Sequence, residues 1–154
     1  MKGRHPDPRF LRGNSVIKIK ENVLTASEFT VLFNSVGWIA PTEEQTAEAL
    51  AHTLCTFSVF YDDTLIGMGR LLGDNAMSYY VKDVAILPDY QGQGIGKVLM
   101  KYMITYVKKQ LPQGWKVSLE LISSKGKEGF YSKFGFEERP CDYDGAGMFM
   151  MIEP

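Results

Sequence analysis

The chain has 154 residues, of which 45% are hydrophobic and 23% are charged. These proportions are typical of one water-soluble globular domain and disfavour a disordered chain, a collagen-like repeat or a coiled coil. Seventeen basic and eighteen acidic side chains leave a net charge of -1. No broad positive field is therefore expected to attract nucleic acid or an anionic membrane.

Cysteine and histidine are scarce, which disfavours several kinds of site. Cys55 and Cys141 are too few for a disulfide framework and too far apart for a metal knuckle, so we expect reduced thiols, no metal and a cytoplasmic location. His5 and His52 alone do not favour a histidine-based triad. No apolar run approaches the roughly 18 residues that span a bilayer. We expect residues 1–14 to form a flexible tail and residues 15–154 to form one domain.

The first half of the chain predicts a strand, two helices and a strand meander. Alternating residues predict a strand at 15–20, and Thr25 with Glu28 forms a capping box that begins a helix. A second helix is predicted to begin at Thr42. Further strands are predicted at 57–61, 65–72 and 77–87, and Pro88 ends the last of them because proline cannot donate to a sheet.

The second half alternates between helices and strands. Apolar residues from Ile95 to Val107 recur at intervals of three and four, which predicts a long amphipathic helix that ends before Pro112 and Gly114. A strand at 115–122, a short helix at 126–134 and final strands from Phe136 and at 148–152 follow. The pattern indicates one α/β domain.

Three glycines precede the long helix in the segment from Gln91 to Lys97. A helix N-terminus offers unpaired N–H groups and a partial positive charge, and glycines let a phosphate approach them. A Walker loop needs Gly at 91 and Ser or Thr at 98, and a dinucleotide fingerprint needs Gly at 97; both patterns fail. A tight turn with no ligand is the alternative reading.

The residues around this turn resemble the acetyl-coenzyme A motif of the GCN5-related N-acetyltransferases, Q/R-x-x-G-x-G/A. Gln91, Gly94 and Gly96 fill its fixed positions, and residues 129–136 (GFYSKFGF) are similar to the family segment that ends in Tyr-x-x-x-Gly-Phe. The resemblance implies an α/β (α+β) domain with a mixed, mostly antiparallel sheet of about six to seven strands and helices on both faces. It also implies a sheet that splays between the strands at 77–87 and 115–122.

The resemblance further implies the residues that contact acetyl-coenzyme A. They are Val84, Ala85, Ile86, Gln91, Gly92, Gln93, Gly94, Gly96, Lys97, Ser124, Phe130 and Tyr131. Lys133 either faces the adenosine phosphates or is simply solvated. The pantetheine arm is expected to pair with the main chain of Val84 and Ile86, and the Ile86 N–H to stabilise an oxyanion. Tyr131 is expected to protonate the leaving thiolate. Ser124 departs from the asparagine that is frequent in the family.

The general base and the acceptor site are less defined. The family's carboxylate position is Tyr80, and Asp83 lies on the opposite face of an ideal strand from Tyr80. Glu120 is a candidate base, because burial in an apolar strand raises the pKa of a carboxyl, or else a salt-bridged edge residue. Residues expected to hold the acceptor are Trp38, Tyr79, Tyr80, Asp83 and Phe149. Their acidic and aromatic surroundings favour a cationic or arylalkyl amine, unless the acids are simply solvated.

The sequence therefore predicts an N-acetyltransferase in which a primary amine of a small molecule, peptide or protein attacks the thioester directly. The alternative is a coenzyme A-binding regulatory module with little or no activity, which Tyr80 and Ser124 favour. A nucleic-acid binder that uses Lys97, Lys101 and Lys108 fits the neutral chain poorly. A homodimer through residues 148–152 is left open.

Overall fold

The computed structural model describes residues 16–154. The strands are β1 (Ile17–Glu21), β2 (Cys55–Tyr61), β3 (Thr64–Gly73), β4 (Ser78–Ile86) and β5 (Ser118–Glu120), and the helices are α1 (Ala26–Ser35), α2 (Glu43–Ala51), α3 (Ile95–Gln110) and α4 (Glu128–Ser132). A 3-10 turn at Pro88–Tyr90 joins β4 to the glycine-rich segment. The predicted tail at 1–14 and the first residue of the first predicted strand lie outside the described residues. No helix within 16–154 is long and apolar enough to cross a membrane.

The first two helices begin where the sequence predicts. Thr25 caps α1: its hydroxyl accepts from the Glu28 N–H, and the Glu28 carboxylate accepts from the Thr25 N–H, so the capping box is complete. The Thr42 hydroxyl caps α2 by accepting from the Gln45 N–H. These bonds satisfy N–H groups that the helices themselves leave unpaired, and so fix where each helix begins.

The five strands lie in chain order, β1-β2-β3-β4-β5. Neighbours from β1 to β4 are antiparallel, whereas β4 and β5 are parallel. The mixed, mostly antiparallel sheet is confirmed, but within residues 16–154 it has five strands and not the expected six to seven. Residues 136–154 contribute one isolated bridge between Cys141 and Asp144. The apolar residues 148–152 are 78–93% exposed, so their strand propensity has no neighbour to pack against.

Helices cover both faces of the sheet, as predicted. On one face α3 buries Leu99, Met100 and Met103 against strand residues such as Phe57 and Tyr79. On the other face, a smaller cluster joins α1 to the sheet. Its buried members are Leu24, Phe29, Leu32, Met68 and Ala85. The two faces are called here the α3 face and the α1 face.

A β-bulge interrupts β4 and changes which side chains reach each face. Met68 of β3 pairs with Ala85 of β4, and Arg70 pairs with Lys82. Gly69, the one β3 residue between Met68 and Arg70, therefore faces two β4 residues, Asp83 and Val84. Asp83 has a left-handed backbone with φ of 53°. An extra residue in one strand reverses the alternation beyond it. Asp83 therefore lies on the α1 face, and the expectation that it faces away from Tyr80 is wrong.

Candidate functional site

A split opens between β4 and β5. The two strands pair at three positions only, from Ser78 with Ser118 to Tyr80 with Glu120. Beyond Tyr80, β4 continues to Ile86 while β5 has ended. Residues 81–86 therefore have β3 on one side and no paired strand on the other within the described chain. The strand predicted at 115–122 is shorter than expected because this pairing ends.

The main chain of Ile86 faces the split. The Leu87 N–H donates to the Ile66 carbonyl over 2.8 Å, so Leu87 occupies a hydrogen-bonded position of the β3–β4 ladder. Ile86 pairs with Gly67 at the next position, which in an antiparallel ladder is non-hydrogen-bonded. Its N–H and C=O consequently point away from β3. The side-chain amide of Gln91 donates to the Ile86 carbonyl over 2.8 Å, which leaves the N–H as the group presented to the split.

The N-terminus of α3 lies directly after this strand and is built to receive an anion. Gly94 is the N-cap in a left-handed conformation with φ of 82°, and no side chain caps the helix. Gly92 is also left-handed, with φ of 73°. A Cβ at either glycine would meet no atom within 4 Å, so the approach to the amides is open. The first turn carries no acidic residue and keeps its partial positive charge.

Helix α4 packs against the start of α3. A Cβ placed on Gly96 would lie 3.4 Å from Cζ of Phe130, so glycine permits this close approach. The Phe130 ring also contacts Tyr131 at a centroid distance of 5.0 Å and Phe134 at 5.2 Å. Tyr131 in turn packs edge-on against Phe136. Burial among these rings raises the pKa of the Tyr131 phenol above its ordinary value of 10.

Comparison with known proteins agrees with this geometry. The family model described as "Acetyltransferase (GNAT) domain" matches residues 53–138, more than half of the chain. The chain belongs to the GNAT acetyltransferase family.

Relatives of this GNAT chain include uncharacterized N-acetyltransferases named ycf52 or ycf52-like. That of Porphyra purpurea is 35% identical over 127 residues, which cover 79% of this chain and 69% of the relative. That of Prochlorococcus marinus is 32% identical over 117 residues, which cover 73% of this chain and 63% of the relative. This chain thus spans about two thirds of the length of these relatives.

Solved GNAT structures share the fold. A probable acetyltransferase of unknown function from Staphylococcus aureus has a TM-score of 0.77 and 30% identity, with coverage of 89% of this chain and all of that chain. A GNAT family protein from Streptococcus pneumoniae has a TM-score of 0.72 and 33% identity, with coverage of 90% of this chain and all of that one.

Coenzyme A fits the residues that this GNAT chain presents. Its pyrophosphate suits the open amides around Gly94, and an amide-rich arm suits the main chain of β4 in the split. Lys97 in the first turn of α3 and Lys133 after α4 are exposed, so both are free to approach phosphates. Ser124 is exposed as well, and its carbonyl accepts from the Lys127 N–H. Because Gln91 already donates to the Ile86 carbonyl, the N–H is the group of Ile86 that the arm would meet.

Glu120 does not have the buried position expected from its apolar strand. Its side chain is 40% exposed and lies 3.5 Å from Nη1 of Arg139. Arg139 also pairs with Asp144 at 2.7 Å, which ties the C-terminal region to the end of β5. Glu120 is therefore a partly exposed, salt-bridged residue. Glu120 lies beside Tyr80 in the register, and burial together with the Glu120 charge raises the pKa of Tyr80.

The residues expected to hold the acceptor lie in different environments. Tyr79 is 1% exposed in the core of the α3 face, so its expected contact with substrate is corrected to a packing role. Trp38 packs edge-on against Phe33 at 4.9 Å. Phe149 is 82% exposed in a segment without regular structure. Tyr80 alone of these side chains lies where the strand pairing ends.

Asp83 is engaged by a residue that sequence reasoning missed. Nε of Arg70 donates to its carboxylate over 2.6 Å, and each side chain is 11% exposed. The carboxylate is thus bonded to Arg70 instead of being presented to an amine, contrary to expectation. One signal was present: Arg70 is the single charged residue in the apolar strand Thr64–Gly73, and buried charges are paired.

Proposed function

We propose that this chain is an acetyl-coenzyme A dependent N-acetyltransferase that acylates a primary amine of a small molecule, peptide or protein. One observation carries the proposal: the Ile86 N–H faces the split at the point where the chain enters the open N-terminus of α3. An acetyl donor that combines a pyrophosphate with a thioester needs an anion-binding helix N-terminus and a free strand N–H close to each other.

The donor would be held by main-chain groups. The amides of Gln93, Gly94, Gly96 and Lys97 would bind the pyrophosphate, with Gly92 shaping the approach. The main chain from Val84 to Ile86 would line the arm, with Ala85 fixed on the α1 face. When bound, acetyl-coenzyme A supplies an activated acetyl thioester. Because amides bind anions without net charge, a chain with net charge -1 can hold this donor.

Two groups of the chain would assist the transfer. The Ile86 N–H would donate to the acetyl oxygen as negative charge develops there. This bond lowers the activation barrier of the transfer because the N–H is held in position before the reaction begins. Tyr131 would hold a proton at its hydroxyl and give it to the departing sulfur. Its raised pKa keeps the phenol protonated at neutral pH.

The amine must lose a proton, and we propose Glu120 as the group that accepts it. Glu120 lies where the β4–β5 pairing ends, and its exposed side chain can pass the proton on to water. A Glu120→Gln variant that keeps wild-type turnover across the pH range would remove it from this role. In that case water alone would carry the proton away.

Thiol release across a panel of amines tests the proposal. The full chain is mixed with acetyl-coenzyme A and each amine, and free coenzyme A thiol is measured. Cys141 is partly exposed, so an amine-free sample corrects for its own thiol. Release with at least one amine supports the enzyme.

Calorimetric titration with acetyl-coenzyme A separates the alternatives. Binding without turnover on a broad panel would support the regulatory module, and no binding at micromolar concentration would overturn both. Cationic and arylalkyl amines belong in the panel beside acidic ones, because the acceptor is proposed to be of the first two kinds. The homodimer and the cytoplasmic location stay predictions.

A further inference from the structure

Arg70 and Asp83 form a nearly buried ion pair between β3 and β4. Nε of Arg70 donates to Oδ2 of Asp83 over 2.6 Å. Nη1 of Arg70 donates to the Thr53 hydroxyl over 3.0 Å, and the guanidinium lies 5.7 Å from the centre of the Phe29 ring. The guanidinium is therefore held from three sides on the α1 face.

The carboxylate partner occupies the strained position of the bulge. Asp83 has φ of 53°, a region that costs most side chains about 1–2 kcal/mol and that aspartate tolerates better than others. A buried pair of this kind is seldom needed for stability, because apolar residues of similar volume do as well. What it adds is a fixed geometry for the residue that it holds.

The bulge decides which amide faces the split. With the extra residue, Met68 pairs with Ala85 and Gly67 pairs with Ile86, so the Ile86 N–H points away from β3. Without it, the register from Arg70–Lys82 would continue unbroken and every later residue of β4 would reverse its direction. The Ala85 N–H would then face the split, and the Ile86 N–H would bond to β3.

We propose that Arg70 and Asp83 are a positioning pair that fixes the bulge and thereby aims the Ile86 N–H into the split. This inference rests on the proposed function, because it gives that N–H its use. Neither side chain contacts the reacting atoms. Arg70 holds the Asp83 side chain. Asp83 in turn sets which of the backbone N–H groups in the three residues after it face β3 and which face the split.

Amide exchange and coenzyme A binding together test the pair. The variants are Asp83→Asn, which keeps the shape and the left-handed tolerance, and the double variant Arg70→Met with Asp83→Asn, which leaves no unpaired charge. Lys82→Met is the matched control, because Lys82 is an exposed charge on the same strand. NMR exchange rates of the Ala85 and Ile86 amides report the register, and calorimetry gives the Kd of acetyl-coenzyme A.

In the wild type we expect the Ala85 amide to be protected and the Ile86 amide to exchange fast until acetyl-coenzyme A is added. In the folded double variant we expect the difference in exchange rate between the Ala85 and Ile86 amides to shrink or reverse. The Kd should rise about tenfold, the equivalent of one lost hydrogen bond. Lys82→Met should match the wild type in both measurements.

The proposal is overturned if the folded double variant keeps the wild-type exchange pattern and Kd. Failure of both variants to fold would also overturn it, since the pair would then be a requirement for the whole fold. Neither readout needs acetyl transfer. A wild type that releases no thiol with any amine would refute the proposed function, while the exchange pattern would still decide whether the pair sets the register.

Discussion

The side-chain amide of Gln91 lies 2.8 Å from the carbonyl oxygen of Ile86 and donates to it. This bond joins the segment before α3 to the last residue of β4. It closes a loop of four intervening residues, 87–90, in which the 3-10 turn at Pro88–Tyr90 is the only regular structure. The bond thus fixes the amide-bearing helix start relative to the amide of the strand.

Replacing Gln91 with alanine should weaken coenzyme A binding more than it destabilises the fold. One hydrogen bond of this kind contributes about 1 kcal/mol, so the Kd should rise roughly fivefold. Calorimetry on Gln91→Ala measures the change, with the exposed Gln110→Ala at the end of α3 as the control. An unchanged Kd would show that the loop keeps its position without this bond.

Gly94→Ala should strain the N-terminus of α3. The left-handed φ of 82° is costly for alanine, by about 1 kcal/mol, which lowers Tm by roughly 3 °C in a chain of this size. No atom lies within 4 Å of the added methyl, so the effect comes from the backbone alone. Gly147→Ala has no such conformation and is the thermal-melting control. Equal Tm values for the two variants would contradict the prediction.

The turn between β3 and β4 should make stability depend on acid pH. Oδ1 of Asp74 accepts from the N–H groups of Ala76, Met77 and Ser78, which lowers the pKa of Asp74 from 3.8 to about 2. A depressed pKa adds stability above pH 3.8 that is lost as pH falls through 2.

Asp74→Asn should therefore have a lower Tm than the wild type at pH 7, and the difference should shrink between pH 4 and pH 2. Thermal melts at a series of pH values measure this. Asp63→Asn in the neighbouring hairpin turn is the control. A Tm difference that does not change with pH would show that the carboxylate charge contributes nothing to the turn.

Local patterns predicted the helices and the glycine-rich turn before α3 because their causes are local. The capping box at Thr25 and Glu28 and the apolar periodicity of α3 act over three to seven residues. The glycines before α3 are likewise needed by their own backbone conformations. The short helix at 126–134 was also predicted from the pattern, but no local pattern reveals its contact with Gly96.

The parts that sequence reasoning missed depend on contacts between distant residues. The bulge at Asp83 is set by a bond to Arg70 on another strand, so ideal alternation from Tyr80 placed Asp83 on the wrong face. Burial of Glu120 was inferred from its apolar neighbours, yet Arg139 pairs with it from 19 residues away. The apolar residues 148–152 have strand propensity, and propensity alone does not supply a partner.

Tyr131→Phe provides the sharpest test of the proposed chemistry. Loss of a general acid typically lowers turnover by about 100-fold or more, while the ring still packs against Phe130 and Phe136. We therefore expect a much lower kcat and an unchanged Kd for coenzyme A. Tyr102→Phe is the control, because that hydroxyl donates to Glu21 on the distant strand β1. A wild-type kcat for Tyr131→Phe would remove Tyr131 as the acid.

The pH dependence adds an independent check on the same residue. Burial raises the pKa of Tyr131 above 10, so the acid form persists at all pH values below that and is lost only as pH rises through the raised pKa. The alkaline decline of kcat in the wild type should therefore lie above pH 10, and Tyr131→Phe should lack it. A decline centred below pH 10 that persists in Tyr131→Phe would assign the proton transfer to another group.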